Sequence, residues 1–278
     1  MFIPAIPLGG YAGWKIFERT ADRQFAAFSR TPEFQRSIAY FRAKIADVAS
    51  AADLVADRRL LSVALGAFGL ESEISKRAIV RRVLEEPANK PDSFANRLND
   101  PRWRAFARAF SFGDGAPRFQ TVAGREEIAA SYAERAFEGA VGDVDADVRL
   151  ALNFRREIRS IAQSDSADRV GWFQILGQQP LRRVVEAAFG LPGSLAQLDI
   201  DRQRSILEGK AEAFFGTKSP AAFRNPENIE IALRRFFASQ AAQQNGIQAT
   251  GRGAAALAIL SGATGASPAG LLNSNALI

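Results

Sequence analysis

Neither cysteine nor histidine occurs in the 278 residues, and the single methionine is the first residue. Without cysteine there is no disulfide, no thiol nucleophile and no thiolate metal ligand. Without histidine there is no imidazole base and no common zinc site. These absences exclude Ser-His-Asp and Cys-His hydrolases, zinc enzymes and histidine phosphotransfer. Loss of rare residues from a structural protein accounts for them, and cysteine avoidance also suits a chain that passes unfolded through a specialised secretion channel. Long apolar runs are missing too: in the body of the chain no uncharged apolar stretch reaches the ~18 residues of a membrane span. The opening "MFIPAIPLGGYAGWK" lacks a basic leader and places two prolines where a signal peptide needs a continuous apolar stretch, so general secretory export is not expected.

What is present is globular in character: 47% hydrophobic and 24% charged residues, enough for a substantial core. The net charge is +6, and 30 of the 36 basic residues are arginine. Residues 1–120 hold 19 basic and 13 acidic side chains, whereas residues 121–240 hold 16 and 17. A basic first half can meet nucleic acid or an acidic partner. The arginines nevertheless alternate with carboxylates, as in "RRVLEE" and "NDPRWR", which reads more simply as a solvated helical surface.

Helical periodicity dominates and recurs. In "RRLLSVALGAFGL", Leu60, Val63, Ala64, Ala67 and Phe68 share one helical face, widened by Leu61 and Leu65. Gly69 stands where a left-handed residue closes a helix, and Leu70 folds back on the last turn. In "PLRRVVEAAFGL" the positions Leu181, Val184, Val185, Ala188 and Phe189 have identical spacing before Gly190-Leu191. Arg182, Arg183 and Glu186 make this second helix the more exposed one. Upstream, "FRAKI" at 41–45 matches "FRREI" at 154–158. Downstream, "SEISKRAIVRRVLEE" at 72–86 and "LDIDRQRSILEGKAEAFF" at 198–215 each read as an amphipathic helix. Short links then end in Asp100-Pro101 and Asn225-Pro226, a side-chain cap followed by proline and therefore a helix start. The pattern implies an internal duplication and an all-α fold, with two multi-helix units packed into one body. The divisions are an N-terminal segment (1–19), a first unit (20–112), a linker (113–124), a second unit (125–237) and a Gly/Ala/Ser-rich mobile tail (238–278). "RFQTV" at 118–122 reads as a short extended link, and a short helix is expected across 254–260.

No stretch carries an evident catalytic set. "GDGAPR" at 113–118 and "GRG" at 251–253 lack the strand and helix of a phosphate-binding loop. Glu85-Glu86 and Glu126-Glu127 are adjacent in sequence and so point to different sides of a helix. "DVDAD" at 143–147 lacks the glycine and terminal glutamate of a calcium loop and is better read as a solvated linker or helix cap. "WRAFARAF" interleaves arginine and aromatics, yet Trp103, Phe106 and Phe110 fall inward and Arg102, Arg104 and Arg108 outward on one amphipathic helix. The sequence therefore assigns no catalytic, cofactor-binding or metal-ligating residue, and the chain is not expected to be an enzyme.

"LLSVALGAFGLESEISKRAIVRRVLEE" and "PDSFANRLNDPRWRAFARAFSFG" resemble an alphaproteobacterial family defined only as a domain of unknown function. Its members often carry the unit more than once and are frequently encoded among flagellar genes. The resemblance covers about the first 240 residues and is strongest from Ala56 to Gly113. It implies a helical, duplicated protein with a flagellar connection, and no catalytic residue to carry over. The expected function is a non-enzymatic structural, assembly or accessory role with a protein partner, flagellar components included. No cofactor or small-molecule substrate is expected. The expected location is cytoplasmic, or exported through the flagellar apparatus. The alternative is a nucleic-acid or acidic-partner binder using the basic N-terminal half, nucleic acid being the less favoured partner.

Overall fold

The structure is a computed structural model. It describes residues 2–98, 100–110, 112–113 and 117–248, with side chains described through 243 at the C-terminal end. Thirteen α-helices, joined by 3-10 turns, make up the described residues, and no strand occurs among them. The fold is all-α.

The first helices are α1 (Gly10–Ser29), α2 (Pro32–Lys44), α3 (Ala51–Ala56) and α4 (Arg58–Gly66). They are followed by α5 (Arg77–Glu85), the single turn α6 (Phe94–Arg97) and α7 (Pro101–Phe110). A second series begins with α8 (Val122–Val144), α9 (Ala146–Gln163), α10 (Ala167–Leu176) and α11 (Gln179–Phe189). It ends with α12 (Ile200–Phe215) and α13 (Pro226–Gln248).

Local chemistry explains the boundaries. Asp57 caps α4 by accepting the Arg59 and Leu60 amides, and Asp145 caps α9 through the Asp147 and Val148 amides. The "DVDAD" stretch thus contains a helix cap. The Asx-Pro starts behave alike: Asp100 accepts the Arg102 amide at 2.9 Å and Asn225 accepts the Glu227 amide at 3.0 Å. Both glycine stops form as read from the sequence. Gly69 has φ +68° and Gly190 φ +66°. The Leu70 amide donates to the Leu65 carbonyl at 3.0 Å, and the Leu191 amide donates to the Glu186 carbonyl at 2.8 Å, so each turn folds back on its helix.

The apolar residues gather in two clusters. The first is drawn from a contiguous stretch, Phe41 to Ile128, and includes Leu61, Leu65, Val80, Phe106, Phe110 and Phe119. The second combines Trp14, Phe17, Phe28, Phe34 and Ile38 with residues from Ala129 to Phe237. Helices α2 and α8 therefore cross between the clusters, and α1 packs on α13, on the far side of the sequence.

Several details correct the sequence reading. "RFQTV" is not extended: Arg118–Gln120 form a 3-10 turn and Val122 begins α8. Burial of Phe119 between Phe110 (5.4 Å) and Phe112 (5.7 Å) pulls the chain into that turn, and Thr121 caps the next helix. The helix expected over 72–86 is split into a 3-10 turn at Glu71–Glu73 and α5. The division at 19/20 falls inside α1, and α8 begins inside the 113–124 stretch. The division at 237/238 falls inside α13, so residues 238–248 are helix rather than mobile tail. The short helix expected across 254–260 and the rest of that tail lie outside the described residues.

Candidate functional site

Where α8 and α9 pass beneath the first series of helices, four ionisable side chains meet, one buried and three half-buried. Arg135 and Glu138 lie three residues apart on α8, and Arg156 and Glu157 are neighbours on α9. Glu138 is only 9% exposed. It accepts a hydrogen bond from Arg156, which also reaches Glu157 at 3.1 Å. Arg135 contacts Glu157 at 3.2 Å and, through Nε, donates to the Ala67 carbonyl at 3.0 Å. One guanidinium thus ties α8, α9 and the end of α4, where unpaired carbonyls favour a cation.

The environment acts on these groups in opposite directions. Burial pushes the Glu138 carboxyl above the usual carboxylate range, with Arg156 drawing it back. Burial, and then the neighbouring Arg156 cation, hold the Arg135 guanidinium below its usual range. Charges of both signs balance within the cluster, and that balance lets it stay buried.

Above the cluster runs a groove made of two adjoining cavities, about 690 and 640 Å³. Each falls in the range of small-ligand or peptide side-chain sites. They share Gly69, Glu71, Arg102, Arg135 and Arg149. The first is mixed: Phe2, Phe28, Phe34 and Tyr132, with Ala136, Gly139 and Ala140 of α8, face Ser37, Ser62, Ser72 and Asp143. The second is polar and reaches Asn153 on α9 and the start of α11, with Gln178, Gln179 and Arg183. Arg102 grips its rim, bonded to Asp100 at 2.8 Å and to the Gly69 carbonyl at 2.5 Å. Asp100 is held below its usual range: burial alone would raise it, but the Arg102 hydrogen bonds outweigh burial.

The residues singled out in the sequence are dispersed. Glu126 pairs with Arg42 on α2 and Glu127 with Arg118, so the two carboxylates part company. Glu85 and Glu86 pair with Arg81 and Arg82 respectively. Trp103, Phe106 and Phe110 are buried, and Arg102 and Arg108 are exposed. Half of "GDGAPR" (114–116) and all of "GRG" lie outside the described residues. Among the described residues, no three acidic side chains gather into a metal-holding group. No helix among them is long and apolar enough to cross a membrane. The groove and its buried ion cluster were not anticipated. One signal was available: Glu138 interrupts "AFEGAV", a small and apolar stretch in which a solvated carboxylate is out of place.

An all-α body with a groove across its junction is the class of protein the geometry defines. The family described as a protein of unknown function (DUF1217) matches residues 67–229, more than half the chain, and the chain belongs to it. The match runs from the closing turn of α4 into α13 and so contains the buried ion cluster and the second cavity, while Phe2, Phe28 and Phe34 of the first cavity precede it. The fold is similar to the crystal structure of protein AGR_C_984 from Agrobacterium tumefaciens, a structural-genomics target. That likeness has a TM-score of 0.68 at 27% identity, covering 86% of this chain and 99% of the other. No curated protein matches the sequence.

Proposed function

We propose that this chain is an internally duplicated, non-enzymatic assembly or accessory protein that acts by holding a protein partner, with flagellar components as the partners. The observation that carries the reading is the junction groove, whose buried ionisable groups are spent on the fold. Arg135, Glu138, Arg156 and Glu157 neutralise one another, which suits a rigid docking frame better than proton transfer. Duplication is supported by matched features in matched order: buried Phe41 and Ile45 against Phe154 and Ile158, the two glycine stops, and the two Asx-Pro starts. The flagellar part rests on the family resemblance together with a cysteine-free chain. Deletion of the gene is expected to impair swimming while leaving growth intact. Swimming-plate diameters equal to wild type would end the flagellar assignment.

A further inference from the structure

We propose that residues 2–9 are a strap, hinged at Gly9-Gly10, that opens and closes the Phe28 and Phe137 end of the first cavity. The inference concerns how the cavity is covered and does not depend on what the groove holds.

The segment folds back along α1 and ends on the cavity. Phe2 meets Phe28 edge-on at 5.6 Å and lies 6.2 Å from Phe137, and it lines the first cavity. Phe2 and Ile6 pack half-buried against the second cluster, and Pro4 is buried. The polar hold comes from one side chain. The Ala5 amide donates to Gln24 Oε1 at 2.8 Å, and Gln24 Nε2 donates to the Ala5 carbonyl at 3.1 Å. Among the described residues, residues 2–8 make no other hydrogen bond. They carry no charged side chain, so no ion pair clamps them. Ile3 is 73% exposed and Leu8 54%, so the outward side chains add little to the hold. A segment tied by so few contacts opens locally while the body stays folded.

Two features distinguish a moving strap from a frayed end. Pro4 and Pro7 fix their own φ and stiffen the segment, whereas Gly9-Gly10 forms a pivot. Gly10 has φ +69°, and a Cβ on either glycine would meet nothing within 4 Å. The seat of the strap is cut into α1 at Gly13. A Cβ there would collide with the Leu8 carbonyl, a backbone group that yields only if the strap lifts. Alanine suits a helix better than glycine, so the glycine at this position serves the closed strap and not the helix. Lifting the strap uncovers the faces of Phe28 and Phe137 that Phe2 covers and adds the space of its ring to the cavity.

The test is the rate of thiol labelling in the full chain, where the absence of cysteine leaves no background. Pro4→Cys places a buried thiol under the strap, and Ile6→Cys is a second probe at a half-buried position. Val83→Cys, fully buried in the first cluster, reports opening of the body. Both strap thiols are expected to label at least about a hundredfold faster than the Val83→Cys thiol. Their rates should barely change in low urea, because lifting the strap exposes little surface, whereas the Val83→Cys rate should climb. Gln24→Ala is expected to speed strap labelling about tenfold, and Gly13→Ala by at least as much. Gly13→Ala and Phe2→Ala should each raise the fluorescence of anilinonaphthalene sulfonate with circular dichroism unchanged, since both uncover Phe28 and Phe137. Strap thiols that label as slowly as the Val83→Cys thiol with the same urea dependence, failure of either Gln24→Ala or Gly13→Ala to speed them, or dye fluorescence unchanged in both cavity variants would each overturn the proposal.

Discussion

The closing turns at Gly69 and Gly190 share a backbone and differ in almost everything around it. Both have left-handed glycines and both fold a leucine amide back onto the helix. Both also receive an arginine on the carbonyl two residues before the glycine: Arg135 on Ala67, and Arg235 on Ala188 at 2.5 Å. The first arginine comes from α8 and belongs to the buried ion cluster. The second comes from α13 and lies over the ring of Phe214 at 4.1 Å. Around Gly69 the guanidinium of Arg135 and the stem of Arg102 crowd in, whereas nothing lies within 4 Å of the position a Cβ would take at Gly190. A local motif fixes where a helix ends; what packs against that end decides whether it becomes part of a site.

Replacing the two arginines should separate the turns most strongly. Arg135→Met removes the bond to Ala67 and leaves the buried acidic pair short of a cation, at a cost of about 3–5 kcal/mol. Arg235→Met loses a single charge-assisted bond, at about 1.5–3 kcal/mol. Urea titrations of both variants measure the difference, and equal losses would show that the cluster at the first turn adds nothing. Next in size are the glycines. Gly→Ala at either position forces an L-residue to positive φ and should cost about 1 kcal/mol in thermal or urea unfolding. The crowding atom at Gly69 is the far end of the Arg135 side chain, so Gly69→Ala should in addition disturb the groove. A loss for Gly69→Ala no larger than that for Gly190→Ala would erase that distinction.

The smallest effect is one of sign in the pH dependence. Asp100, beside the first turn, has its pKa lowered in the fold. Its contribution is present above the ordinary carboxylate pKa of about 4 and is lost as pH falls through the depressed value. Glu186, in the second turn, has its pKa raised by burial against the opposing pull of Arg182. Its contribution is present below the ordinary value and is lost as pH rises through the raised one. Asp100→Asn should therefore flatten the acid limb of a stability–pH curve, and Glu186→Gln should flatten the fall on its upper side. Slopes changing in the same direction would contradict the assignment.

What could be read from the sequence was local. Helix stops at Gly69 and Gly190, caps at Asp100 and Asn225, and the inward face of Trp103, Phe106 and Phe110 follow from chemistry within a few residues. The 3-10 turn at Arg118–Gln120 was missed because Phe119 is drawn in by Phe110 and Phe112, and alternation over five residues imitates a strand. The ion cluster was illegible because Arg135, Glu138, Arg156 and Glu157 look like any solvated helical charges until α8 and α9 cross. The pairing of α1 with α13 left no mark in either segment, since Trp14 and Phe237 suit any core equally well.

That last pairing has a kinetic side. The first cluster is closed by a contiguous stretch, so its loops are short and it can consolidate early. The second needs α1 to wait for α13; Tyr11 and Glu230, joined by a 2.6 Å hydrogen bond, are 219 residues apart. Trp103 sits in the early cluster and Trp14 at the late seam, beneath the guanidinium of Arg155. In refolding with the third indole removed by Trp172→Phe, Trp103 and Trp14 should report as separate clocks, with Trp14 the slower. Until α13 docks, Tyr11 and Trp14 on α1 lack the partners that cover them.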